Sequence, residues 1–220
     1  MIKTAKILYS ILLSLFIICV SVMAVIAFRP LYYHDMDRYR MTETTGMSEA
    51  EIKSNYDEMV DFLLRWSGDE LTLPTLPMSE GGKIHFSDVK RVVTGVKVLG
   101  LISMALAVAC GIFLRHEDRS GSLRAAGIIT LGIPAALGLF VAVAWQQFFV
   151  LFHKIFFRND YWIFDARTDP VITILPDGFF LHCMILIVAL VAAGAVACFL
   201  AAYLQKKRTR KQDRTAEQAV

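Results

Sequence analysis

The chain has 220 residues, 56% of them apolar, and its mean hydropathy is +0.52. Its net charge of +3 is small and the positive part is clustered at the C-terminal end, which gives a nucleic-acid-binding role little support. Four cysteines, Cys19, Cys110, Cys183 and Cys198, fall inside apolar runs without CxxC or Cys/His ligand spacing, so neither a disulfide framework nor a zinc finger is indicated and they read as small core residues.

Apolar runs cover residues 7–28, 92–114, 125–152 and 178–204, each reaching the ~20 residues that a helix needs to cross roughly 30 Å of hydrocarbon. They predict an all-α integral membrane protein with four transmembrane helices. The first falls within residues 1–28, the others at 92–114, 125–152 and 178–204. A loop at 29–91, a turn at 115–124, a second loop at 153–177 and a basic tail at 205–220 connect and close them. The first run follows Lys3 and Lys6 and exceeds the roughly 7–15 apolar residues of a signal peptide, so it reads as a retained anchor. Lys and Arg are held on the cytoplasmic side. Lys3 and Lys6, then Arg115, Arg119 and Arg124, then Lys206, Lys207, Arg208, Arg210, Lys211 and Arg214 all fall on one face of a four-span protein. Both termini are thereby expected in the cytoplasm, with loops 29–91 and 153–177 outside.

The first outer loop holds twelve Asp/Glu against eight Lys/Arg and is expected to fold as a small extracytoplasmic cap together with the second loop. Ser48 with Glu51 three residues later fits a capping box. Ile52, Tyr56, Met59, Val60, Leu63 and Leu64 then recur at helical spacing, and Gly68 can stop the helix. Residues 71–77 carry two prolines and are expected to be extended and to hug the membrane. After Gly81-Gly82 the chain reads KIHFSDVKRV into the second span, with His85 and Asp88 on one face of a helix.

Gly132 and Pro134 should bend the third span. Ala189, Ala193, Gly194 and Ala197 give the fourth a surface for close helix packing. Around the outer end of the third span crowd Trp145, Phe148, Phe149, Phe152, Phe156, Phe157, Tyr161, Trp162 and Phe164, an aromatic belt that can also line a lipid entry.

Of five histidines, His34, His85 and His153 lie at the outer interface. Histidine titrates near neutral pH and suits general acid–base work. His85 and His153 each stand beside acids at a junction of span and outer loop, which marks them as a candidate site. Asp88 is placed to hold the His85 ring, whereas Asp160, Asp165, Asp169 and Asp177 also fit turn chemistry. Two histidines with acids supply donor types for a metal, but no tight ligand spacing supports one. GxSxG, P-loop, HExxH and GxGxxG patterns are absent, which disfavours an ATP-driven or serine-elbow enzyme.

These residues resemble a known family, the bacterial lipoprotein intramolecular transacylases. The resemblance rests on His85-x-x-Asp88-Val89-Lys90, on His153, and on Phe157-x-Asn159-Asp160-x-Trp162-x-Phe164-Asp165, followed by Asp169, Ile172, Pro176 and Phe179-Phe180. It implies a cofactor-independent reaction in which the sn-2 acyl chain of a diacylglyceryl-modified N-terminal cysteine moves to that cysteine's own α-amino group. The implied partners are diacylglyceryl-modified lipoproteins and membrane lipid, and no metal is implied.

An α-amine with a pKa near 7.7–8.0 needs a base, and amine and ester belong to one molecule, so proximity contributes much of the acceleration. His85 and His153 are therefore expected to act as a base/acid pair, either one being the base. Asp88 would orient His85, and Asn159 or Lys90 would donate to the oxyanion. Asp160, Trp162 and Asp165 are candidate substrate or oxyanion contacts. Two other readings compete: another lipid acyltransferase or hydrolase using the same histidines, and a non-enzymatic accessory or sensor protein that docks through the amphipathic helix 51–66. The oligomeric state is not legible.

Overall fold

The hydrophobic periodicity resolves into helices. In the computed structural model, which describes residues 1–68 and 70–218, the order is α1 (Ile2–Ala27), α2 (Arg29–Arg38), α3 (Met41–Thr45), α4 (Glu49–Leu64), α5 (Glu80–Phe113), α6 (Ser120–Val143), α7 (Trp145–Phe156), a short 3-10 helix (Pro170–Ile174) and α8 (Asp177–Gln218). The last two residues of the basic tail, like Asp69 of the first loop, lie outside the described residues, and so does the side chain of Arg214. No strand is present among the described residues. Three helices, Ile2–Ala27, Glu80–Phe113 and the Asp177–Lys211 part of α8, are long and apolar enough to cross a membrane.

The run 125–152 is not one helix. Pro134 lies within α6, which continues through it, and the break comes ten residues later at Ala144, whose φ of −147° and ψ of 51° leave the helical region. The Ala144 N–H still donates to Phe140 O at 2.9 Å and its carbonyl accepts from Phe148 N at 2.9 Å, so the chain changes direction without stranding that peptide.

The chain divides into two compact units. One comprises Met1–Val22, Lys97–Gly138 and Ile187–Val220. Its helices approach through small residues. Ser10 Oγ donates to Ser122 O at 2.9 Å and Ser14 Oγ to Ala126 O at 3.0 Å, while Gly194 lies directly against Ile17. On α8 the buried face is Val191, Ala195, Cys198 and Ala202. Ala189, Ala193 and Ala197, expected to share the packing surface with Gly194, are exposed instead, because the helix presents its 191/195/198/202 stripe to its neighbours. All four cysteines are free.

The other unit comprises Met23–Val96 and Leu139–Leu186 and contains the cap. Ser48 and Glu51 form the expected capping box at the start of α4. The α4 face of Ile52, Tyr56, Met59 and Val60 is buried inside this unit, with Tyr56 stacked on Tyr32 at 3.5 Å and Phe179 edge-on to both. That face is therefore part of the cap's own core and is not offered for docking. The extended segment after α4 inserts Leu71 and Leu73 into the same core, and Asn55 holds it by bonding Thr75 through both ends of its amide. The segment follows the cap because its alternate leucines find a protein core to fill.

Candidate active site

Helix α5 has 34 residues, about 51 Å at ~1.5 Å per residue, well beyond the ~30 Å of hydrocarbon. Its first three turns, residues 80–91, carry Glu80, Lys83, His85, Asp88, Lys90 and Arg91 and extend past the apolar part. The loop 157–176 packs against this polar head. Ser79 Oγ accepts the Gly82 N–H at 3.0 Å, and Asp169 Oδ1 accepts the Ser79 N–H at 2.8 Å. Asp169 is only 3% exposed and takes a second bond from Thr168 Oγ1 at 2.8 Å. A carboxylate is favoured there because the N-terminus of a helix is its positive end. Two glycines make the approach possible: a Cβ on Gly81 would lie 3.0 Å from the Tyr161 ring, and one on Gly82 would overlap the Asp169 carboxylate.

This packing brings the two histidines together. His85, 6% exposed, lies with its ring centroid 6.0 Å from that of His153, the planes 30° apart. Phe157 and Phe164 stand edge-on to His85 at 4.9 and 5.4 Å. His153 comes from α7 and is held between Phe149 at 4.3 Å and Trp162, stacked at 4.7 Å. Its Nδ1 lies 2.7 Å from the Phe149 carbonyl oxygen. A carbonyl only accepts, so Nδ1 carries the proton and Nε2 of the neutral ring holds a lone pair. His85 Nδ1 is buried with no hydrogen-bond partner, and so is Trp162 Nε1.

Burial pushes the His85 imidazole down to about 4, with the neighbouring His153 acting in the same direction and Asp88 opposing. Burial also lowers His153, partly offset by the Phe149 carbonyl. Both rings are neutral near pH 7.

The remaining candidates fall into different places. Asp88 forms no hydrogen bond to His85 among the described residues; its carboxylate accepts from Asn159 Nδ2 at 3.0 Å and pairs with Arg91. Asn159 Oδ1 in turn accepts the Tyr161 N–H at 3.2 Å, so one end of the amide ties the loop to α5 and the other braces the loop itself. The Lys90 ammonium donates to the Ser67 and Gly68 carbonyls at 2.9 and 2.6 Å and lies over the Phe62 ring, pinning the segment after α4. Asp160 is exposed and its carbonyl closes a turn with Ile163. Asp165 pairs with Arg167 at 2.6 Å and accepts its N–H, a turn at the surface. His34 is exposed. No cluster of three or more His, Cys, Asp or Glu able to hold a metal is present among the described residues.

Sequence reasoning missed one pair and underrated one acid. Asp35, fully buried, accepts from His182 Nδ1 at 2.8–2.9 Å. A titratable residue beside an apolar run calls for a partner, which singles out His182 but does not say that α2 supplies it. Asp169 reads as a turn residue until the glycine pair it packs against is seen.

The two neutral histidines, carried on α5 and α7 inside an aromatic box, can be set beside known proteins. A family model described as lipoprotein intramolecular transacylase, Lit, matches residues 7–180. This chain belongs to the Lit family. The fold agrees. The solved structure of the membrane-integral Lit from Bacillus cereus is 34% identical and matches with a TM-score of 0.93, covering 96% of this chain and 98% of that one. Structures of the same Bacillus cereus protein carrying H85R and H85A are each 33% identical, with TM-scores of 0.87. The H85R match covers 96% of this chain and 95% of that one; for H85A both shares are 96%. No curated protein sequence matches. The Lit-family match ends at Phe180, so it takes in both histidines, the Asp88–Asn159 tie and Asp169, and leaves most of α8 outside it.

Proposed function

We propose that this Lit-family protein moves the sn-2 acyl chain of a diacylglyceryl-modified N-terminal cysteine to the α-amino group of that same cysteine, giving the lyso-form lipoprotein. The observation that carries the reading is the closeness of two neutral imidazoles, 6.0 Å between centroids, inside an aromatic box. Their roles differ. The Nε2 lone pair of His153 takes the proton as the amine attacks the ester carbonyl, and the resulting imidazolium returns it to the departing glyceryl oxygen as the C–O bond breaks. A buried N–H without an acceptor is rarer than an under-satisfied acceptor, so the unpartnered Nδ1 of His85 holds its lone pair and Nε2 its proton. His85, neutral and hard to protonate, therefore serves as a hydrogen-bond donor to the oxyanion. Asp88 and Asn159 act as positioning residues that fix the loop on α5. No cofactor takes part.

The site faces outside the bacterial cytoplasmic membrane in this reading, with α6 as the fourth crossing and both termini inside, as the grouping of Lys and Arg requires. Helix α7, twelve residues and about 18 Å long, is too short to cross. It exposes Phe152, Ile155 and Phe156 on the side away from Gln146, Gln147 and Lys154, the pattern of a helix lying in the headgroup zone where ester carbonyls reside. The test is a crossover experiment. Lipopeptide with heavy acyl chains and light peptide is mixed with the converse pair, and only parental masses are expected in the N-acylated product. Mixed masses would mean transfer between molecules and would count against an intramolecular step.

A further inference from the structure

The unit without the histidines carries an apolar groove of about 550 Å³ between α1 and α5. On α5, Met104, Val108 and Ile112 recur every four residues and form one wall; Leu13 and Phe16 of α1 form the other. At its end stand Arg115 and Arg119. Arg119 folds back so that Nη1 donates to the Gly111 carbonyl at 3.1 Å, with its guanidinium 6.0 Å from the Tyr9 ring centroid. Glycine at 111 permits this, since a Cβ there would lie 3.4 Å from Nη1 and 3.5 Å from the Tyr9 ring. Arg119 Nε is buried and has no hydrogen-bond partner. Arg115 is exposed, its Nε bonded to His116 at 2.9 Å.

The acids of the same turn are already engaged: Glu117 pairs with Lys6 at 3.2 Å, and Asp118 accepts from the Ser120 N–H and hydroxyl. Neither arginine forms an ion pair among the described residues. Positive charge at the end of a span serves topology, but that requirement does not call for an apolar trough leading to two guanidiniums without carboxylates. Guanidinium recognises phosphate through paired donors, and the trough takes an acyl chain.

We propose that this groove holds one anionic glycerophospholipid, its phosphate between Arg115 and Arg119 and one acyl chain along Met104, Val108 and Ile112. The site is separate from the histidine pair, and its occupancy can be read without any assay of acyl transfer. The experiment is native mass spectrometry of the full chain extracted into detergent and supplied with phosphatidylglycerol or phosphatidylcholine of identical chains. One phosphatidylglycerol should be retained, about five-fold or more over phosphatidylcholine. Arg115→Gln should lower that retention about five-fold, as expected for one cation near a headgroup. Val108→Trp, at an exposed position, should fill the trough and abolish retention while leaving the helical circular dichroism unchanged. Equal retention of the two lipids, or undiminished retention in either variant, overturns the proposal.

Discussion

His85 and His153 lie with their ring centroids 6.0 Å apart, one projecting from α5 and the other from α7, and the same burial that brings them together keeps both uncharged near neutral pH. Only one of them has a ring nitrogen whose proton is fixed by the backbone, which is His153 through the Phe149 carbonyl. The two rings are therefore not interchangeable, and variants should separate them.

His153→Gln is expected to lower the transacylation rate about 10²- to 10⁴-fold, since an amide cannot shuttle a proton. His85→Gln keeps a neutral N–H donor and should retain about ten times more activity than His85→Ala, whose loss is about 10²- to 10³-fold. Single-turnover rates on a synthetic lipopeptide separate these cases. Equal losses for His85→Gln and His85→Ala would show that His85 moves a proton and does more than donate a hydrogen bond.

The pH–rate profile should rise through the pKa of the substrate amine, near 7.7–8.0, and show no limb at the ordinary histidine value of about 6.5. His85 stays neutral down to about 4, and burial lowers His153 as well. Replacing the amine-bearing substrate by one with a less basic N-terminus should move the rising limb by the same amount. A limb that stays near 6.5 whatever the amine contradicts the assignment.

Stability should fall on mild acidification. Above pH 6.5 the His85 ring is neutral whether the chain is folded or not; between 6.5 and about 4 the unfolded chain binds a proton that the folded one refuses. Folded-state stability is thus lost as pH falls through that window, by roughly 3 kcal/mol at its lower end. Thermal unfolding in detergent at pH 7 and pH 5 should show a larger drop in Tm for the native chain than for His85→Gln. Parallel drops would remove His85 from this account.

Gly82→Ala should be more damaging than Gly95→Ala, which meets nothing within 4 Å. The added methyl meets the Asp169 carboxylate and must push the loop from the α5 terminus, lowering both Tm and acyl transfer. Asp169→Ala leaves the Ser79 N–H without its acceptor and is expected to cost about 1–3 kcal/mol. Combining the two substitutions should recover part of the loss of Gly82→Ala, because the clash partner is gone.

Lys90→Met keeps an unbranched apolar side chain but removes the ammonium that lies over the Phe62 ring and donates to the Ser67 and Gly68 carbonyls. A lower Tm with kcat/KM per folded molecule within about three-fold of native is expected. A hundred-fold loss in a folded variant would return Lys90 to the oxyanion role that the sequence alone suggested.

The sequence made the helices legible where periodicity and length agree: α1, α4 with its capping box, and the long apolar parts of α5 and α8. It also marked His85 and His153, because histidines at the edge of an apolar run are costly without a purpose. It did not single out the break at Ala144, since Gln146-Gln147 are the only polar interruption in the run 144–152 and an amide pair is tolerated within a helix. Nor did it tell Asp88 from Asp169. Helical spacing puts Asp88 near His85, yet the carboxylate turns to Asn159 and Arg91, while Asp169 owes its burial to the approach allowed by Gly81 and Gly82, far away in the chain. The Lys90 bonds to the Ser67 and Gly68 carbonyls were hidden for the same reason, since no side-chain pattern announces a backbone partner.

The central claim is that this pair of histidines moves an acyl chain from glycerol to the amine of one molecule. Its most direct test is mass spectrometry of the N-terminal lipopeptide of one abundant lipoprotein, from cells making the native chain or His153→Ala at equal level. The account predicts an N-acylated, monoacylglyceryl cysteine with the native chain and an unchanged diacylglyceryl cysteine with the variant. Diacylglyceryl cysteine in both, or full conversion in both, would contradict it.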